Sequence, residues 1–177
     1  AQPAWIWLGG LLGSIYLTSN ILLFPKIGAI QTTILPIMGQ ITMGTVTDWL
    51  GWFGAAKVAM TAWRLVGILI LIVGVLVAVA LPSLTNRDIR RFDANVARQD
   101  GPTRVIGWQI WAVIVGVLAA MQQAINGHLG TLLHSTSQAA FISFFIGTLL
   151  IAAVALMIDK RVPTASQLKT TQPWNWL

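Results

Sequence analysis

WIWLGGLLGSIYLTSNILLFPKIGAIQTTILPIMGQITMGTVTDWLGWF, from Trp5 to Phe53, carries a single cation, Lys26, and a single acid, Asp48. A helix crosses the hydrocarbon of a bilayer in about 20 residues, so the stretch predicts two crossings. Span a covers about Trp5 to Phe24 and span b about Gly28 to Phe53, parted at Pro25 and Lys26. Strands of a membrane barrel are shorter and alternate in polarity, so helices are expected. Three further apolar runs follow: span c, about Trp63–Leu81; span d, about Ile106–Ile125; and span e, about Gln138–Ile158.

The composition agrees with a chain dissolved in lipid. Hydrophobic residues are 56% of the whole and charged residues 9%, against roughly a quarter charged in soluble domains. The expected fold class is an all-α membrane protein, a bundle of five transmembrane helices. The partner of such a surface is the lipid bilayer. The net charge of +6 comes from cations at the ends of apolar runs, the pattern of membrane orientation and not of a nucleic-acid face. With no cysteine in the chain, disulfides and thiolate chemistry are excluded. No nucleophile elbow, no paired intramembrane aspartates and no phosphate-cradling glycine loop is present. No enzyme, cofactor or metal site is expected.

The nine tryptophans stand near the span ends: Trp5 and Trp7, Trp49 and Trp52, Trp63, Trp108 and Trp111, and Trp174 and Trp176. Indoles favour the headgroup level, so aromatic belts explain them; a tryptophan box for a cationic ligand is the alternative. Alternate loops put Lys26, the linker arginines, Lys160, Arg161 and Lys169 on one side, and only Lys57 and Arg64 on the other. The cation-rich side is expected in the cytoplasm. SLTNRDIRRFDANVARQDGPTR (Ser83–Arg104) is the one long polar stretch. It divides the chain into segment 1–82 with three spans, a basic linker 83–105, and segment 106–177 with two.

QPAWIWL at Gln2–Leu8 is echoed by QPWNWL at Gln172–Leu177. Five spans separate the copies, and five is odd, so two such units would face opposite ways. Inverted repeats of this kind build secondary transporters. On this reading the sequence is the middle of a longer protein: the last three spans of one unit and the first two of the next. Its partners would be the remaining spans, or a second copy.

Lipid tails are as apolar as leucine, so small residues must let helices approach. Span d carries Ala112, Gly116, Ala120 and Ala124 four apart; span e carries Ala139, Ser143 and Gly147. Span a has Gly9, Gly10, Gly13, Ser14 and Thr18, and span c has Gly67, Gly74 and Ala78. A change at Gly116 is expected to disturb packing more than one at Val115, expected to face lipid.

Polar groups at depth are the candidates for function. Pro36, in the middle of span b, is a hinge or a static kink. Gln40, Gly44 and Asp48 share one face. Asp48 is the only acid within the spans; it is a coupling acid, or an interfacial ion pair with Lys57 or Arg64. Asn20, Gln31, Gln40, Gln123 and Asn126 would line a hydrogen-bonding pocket, or hold helices together. Gly127 and Gly130 are expected to end span d. His128 and His134 then fall in an exposed turn, without the further ligands that a metal requires.

WLGGLLGSIYLTSNILLFPKIGA, GQITMGTVTDWLGWFG and MQQAINGHLG together resemble the bacterial YdcZ-like family of the drug/metabolite transporter superfamily. The resemblance covers spans a, b, d and e. It implies five-span units, single or fused into ten-span proteins. It also implies a multi-pass protein of the bacterial plasma (inner) membrane that exports a small organic solute. Family motifs map onto Asn20, Pro25, Gln40, Asp48, Gln123, Asn126 and Gly127. The small multidrug exporters, distant relatives, use a membrane-embedded glutamate, and this chain has none. The leading expectation is a secondary transporter. A non-transporting assembly or interaction subunit is the rival, and a channel is disfavoured by the lack of a filter signature.

Overall fold

The computed structural model describes residues 3–88, 91 and 101–159. Every regular element among them is helical. Four helices are long and apolar enough to cross a membrane. A 3-10 turn, Ala4–Trp7, leads into α1 (Leu8–Leu50); after a second turn, Trp52–Gly54, come α2 (Ala62–Thr85), α3 (Pro102–Leu132) and α4 (Thr136–Asp159).

The 43 residues of α1 would reach about 65 Å if straight, yet the ring centroids of Trp5 and Phe53, flanking its two ends, lie 5.6 Å apart. The helix therefore doubles back, and it does so at Gly28, whose φ of 76° and ψ of 169° form the one non-helical step inside it. Its arms, 8–27 and 29–50, are each about 30 Å long, the thickness of a bilayer core. The backbone stays helical through Pro36. The break in this region is thus at Gly28 and not at the proline.

Helix α3 fills the notch of this hairpin. Trp108 and Ala112 pack with Leu23, Ile27 and Leu35 from both arms. Along the second arm, Gly116 receives the backbone of Pro36, and Gly39 receives the carbonyl of Val113. The first arm meets α3 again at Gly13, which faces the Gln122 amide. Both arms grip α3, so its buried surface is broad: Ala112, Val115, Gly116, Ala119 and Ala120 are all buried. Val115, expected to face lipid, is 0% exposed.

Helix α4 packs through the expected stripe of Ala139, Ser143 and Gly147, all buried: Ala139 on Ile6 and Leu129, Ser143 on Asn126 of α3, and Gly147 on Gly10 and Ser14 of the first arm. Ser14 shares its hydroxyl between the carbonyls of Gly10 (2.9 Å) and Gly147 (3.1 Å). Below Gly147 the helix leaves its neighbour, and Leu149, Ile151, Val154, Leu156 and Met157 are exposed. Helix α2 is the least buried of the four and is tied to α1 by Arg64 and Asp48; among its described residues only Val75 is buried, and added β-carbons at Gly67 or Gly74 meet nothing. Gly67 and Gly74 of the stripe expected on span c thus meet no neighbour among the described residues, while Ala78 is half-buried.

The linker is shorter than the sequence suggests. Helix α2 runs on to Thr85 and α3 starts at Pro102, with proline in its first turn, so Arg104 is helical. Positions 89, 90 and 92–100 of the linker, and the second QPW stretch with Lys160, Arg161, Lys169, Trp174 and Trp176, lie outside the described residues.

Candidate functional site

A cleft of about 580 Å³ opens between the two arms of α1 near the Gly28 end. Tyr16, Asn20, Ile21 and Phe24 line it from the first arm, and Thr32, Thr33 and Ile37 from the second. Helix periodicity places them: 16, 20 and 24 fall on one face, as do 33 and 37. The polar side chains first satisfy their own donors. Asn20 donates from Nδ2 to the Tyr16 carbonyl (2.8 Å), Thr32 to the Gly28 carbonyl (2.7 Å) and Thr33 to the Ala29 carbonyl (2.9 Å). What remains for a ligand is acceptor capacity from Asn20 Oδ1 and the threonine oxygens and the second N–H of Asn20 Nδ2, with the Tyr16 hydroxyl able to donate or accept. Among the described residues the lining has no charged side chain and three large aliphatic or phenyl ones. Such a cleft suits a small, partly apolar solute bearing hydroxyl or amine hydrogens.

The other expected pocket residues do not join Asn20. Gln31 accepts a hydrogen bond from Gln109 of α3 (2.8 Å), which ties the second arm to α3. Asn126 lies toward the opposite end, donating to Ser143 of α4 (3.1 Å). Its Oδ1 is buried without a hydrogen-bond partner and rests against Gly9, where a Cα–H contact is the available partner. Gln123 is exposed; the neighbouring Gln122 faces the bundle instead. Gln40 is half-buried and lines none of the clefts described here. Asp48 pairs with Arg64 at 2.9 Å, both side chains partly exposed. Pro36 is fully buried against Gly116.

At the end opposite Gly28, Trp5 packs edge-on to Phe53 and lies 5.2 Å from the His128 ring. Gly54 also comes up against that imidazole. Helix α3 continues past Gly127 and Gly130 to Leu132, so His128 is a half-buried helical residue and not a turn residue. His134 is exposed in the turn, at a φ of 52°. The described residues hold no group of three metal-ligating side chains.

Toward the Gly28 end the helices part. A second cleft, about 430 Å³ and largely apolar, separates Ser14, Thr18 and Ser19 of the first arm from Leu150, Ile151 and Val154 of α4. Among the described residues, ring contacts join the elements at the Trp5 end, and clefts open between them toward the Gly28 end. Tyr16 belongs to the polar cluster YLTSN that ends span a, whereas Thr32 and Thr33 are not among the expected site residues; two threonines a few residues after the only cation of the stretch are the available signal.

The chain matches the family model described as “Putative inner membrane exporter, YdcZ” over residues 1–77 and 107–177. It belongs to this family. No curated protein and no solved structure matches it. Membership makes the chain a membrane-embedded member of a drug/metabolite transporter family, and the apolar exterior of its four long helices agrees with that. The two matched segments exclude much of the linker and include residues 16–37, which hold the lining of the α1 cleft.

Proposed function

We propose that this chain is part of a secondary transporter that exports a small organic solute across the bacterial inner membrane. Two inverted five-span units would compose it, and this chain would be the middle of the fused ten-span protein. The observation that carries the reading is the ring contact of Trp5 with Phe53. It supports two crossings within α1, and with α2, α3 and α4 that makes five. An odd count turns the next unit over. Two separate stretches matching one family model are what two partial units would give. Chemistry on the solute is not part of the proposal: the chain acts as a carrier and not an enzyme, with the bilayer and the remaining spans as its partners.

With the cation-rich side inside, the Trp5 end faces the periplasm and the clefts of the Gly28 end face the cytoplasm. A solute entering from the cytoplasm would meet Asn20, Tyr16, Thr32 and Thr33. Gln40, one helical stretch further along the second arm, would lie on its path outward. Movement of α4 onto the first arm would close the cleft between them, and loosening of the Trp5–Phe53–His128 contact would open the other side.

Topology is tested by single cysteines in the cysteine-free chain. Ala29→Cys is expected to react with a membrane-impermeant maleimide only from the cytoplasm, and Lys57→Cys and His134→Cys only from the periplasm. Failure of Ala29→Cys to label from either side would make α1 a single crossing and remove the inversion.

The site is tested in proteoliposomes of the full-length protein with a solute chosen by thermal-shift screening, since a ligand that binds the folded state stabilises it. Asn20→Leu is expected to lower transport about tenfold, the loss of one hydrogen bond in a buried setting. Gln31→Leu is expected to lower the unfolding temperature and leave the affinity unchanged, because Gln31 is engaged with Gln109. Unchanged transport in both Asn20→Leu and Gln40→Leu would remove the hairpin cleft and the second arm from the pathway.

A further inference from the structure

A third cleft, of about 510 Å³, lies at the Gly28 end on the other flank of the hairpin, lined by Lys26, Arg104, Gly107, Trp108 and Trp111. Lys26 comes from the first arm just before the reversal, and Arg104 from the first turn of α3. They are far apart in sequence, and the fold brings both cations to one cavity. The floor is aromatic and held in place. Trp108 packs on the Leu23–Ile27–Ala112 cluster, and Trp111 donates its indole N–H to Ser19 Oγ at 3.2 Å. Among the described residues, none of those lining the cavity is acidic.

Two cations above two fixed indoles, at the end of membrane-spanning helices, match one chemistry: a phosphate with apolar chains attached. Indoles sit at the headgroup level, and basic pockets between helices on the cytoplasmic side hold anionic headgroups. We infer that this cleft is a binding site for an anionic phospholipid of the cytoplasmic leaflet, with the phosphodiester between Lys26 and Arg104 and the upper acyl chain against Trp108 and Trp111. Gly107 has nothing within reach of an added β-carbon, so the α3 wall of the cleft leaves room for the chain. The site rests on the cytoplasmic placement proposed above for the Gly28 end, and the labelling of Ala29→Cys tests that placement independently.

The full-length protein in detergent is titrated with phosphatidylglycerol, phosphatidylcholine or glycerol 3-phosphate, and bound lipid is counted by native mass spectrometry while thermal unfolding is followed. Wild type is expected to retain phosphatidylglycerol in preference to phosphatidylcholine. Each cation near an anionic headgroup is worth about fivefold in affinity, so Lys26→Gln with Arg104→Gln should reduce the preference about 25-fold. Arg87→Gln with Arg91→Gln removes equal charge from outside the cleft and should preserve the preference. Equal losses in the two double variants would mean diffuse attraction and overturn the site. Stabilisation of wild type by glycerol 3-phosphate as strong as that by the lipid would overturn a lipid occupant. Should the first double variant not fold, Arg104→Gln alone, at an exposed position, is expected to lose about fivefold. An unaltered preference there would equally sink the proposal.

Discussion

Gly116→Ala is expected to destabilise the folded protein by about 3 kcal/mol, the upper range for forcing atoms into a filled interior. The β-carbon would run into the carbonyl and Cα of Pro36, and neither is the movable end of a flexible side chain. The second arm would have to lift off α3 along its length. The matching contact at Gly39 with the Val113 backbone means that one displacement breaks both. Gly116→Leu should leave little folded protein. Gly44→Ala, where an added β-carbon meets nothing, is the control in the same arm and should be neutral or slightly stabilising. Thermal unfolding in detergent, read as the monodisperse fraction surviving each temperature, separates the two. Equal survival of Gly116→Ala and Gly44→Ala would mean that the arm and α3 do not meet as described.

Gly28→Val is expected to have the next largest effect. A φ of 76° with a ψ of 169° belongs to a region that only glycine enters freely, and other residues pay about 1–3 kcal/mol there. A β-branched residue stands at the upper end because its side chain also crowds the backbone. The arms would then open at the reversal, and the Trp5–Phe53 contact about 30 Å away would be lost with them. Tryptophan fluorescence reports the latter. A Gly28→Val protein with wild-type stability and emission would show that the reversal uses another residue.

Much of this architecture was legible because lipid imposes simple rules. A span must be long and apolar, so the five apolar runs read from sequence fall within four helices, spans a and b both inside α1, whose break at Gly28 comes two residues after Lys26. Spacing of small residues by four correctly identified Ala112, Gly116 and Ala120, and Ala139, Ser143 and Gly147, because helices that touch backbone to backbone leave no other choice. Val115 was misjudged for a physical reason. A single stripe assumes a single neighbour, whereas α3 has an arm on each side. Gln122 rather than Gln123 faces the bundle, a rotation of about 100° that residue type alone cannot resolve. Gly127 and Gly130 did not stop α3, since glycine is tolerated inside membrane helices, and His128 was carried into the bundle as a result. The polar residues were legible as a set and not as a site: Asn20 reached a cleft, while Gln31 and Asn126 were used to join helices. Nothing in their local sequence distinguishes the two uses, because an amide in lipid seeks whatever partner the fold supplies.

The abrupt reversal at Gly28 leaves no connecting segment between the arms of α1. A protease presented to that face finds no extended strand to seat in its cleft, and an epitope inserted there would have to pry two adjoining helices apart. Digestion of vesicles from that face should therefore spare the first pair of crossings as one fragment. The pair is also suited to leave the insertion machinery together, as a preassembled unit onto which α3 can then dock.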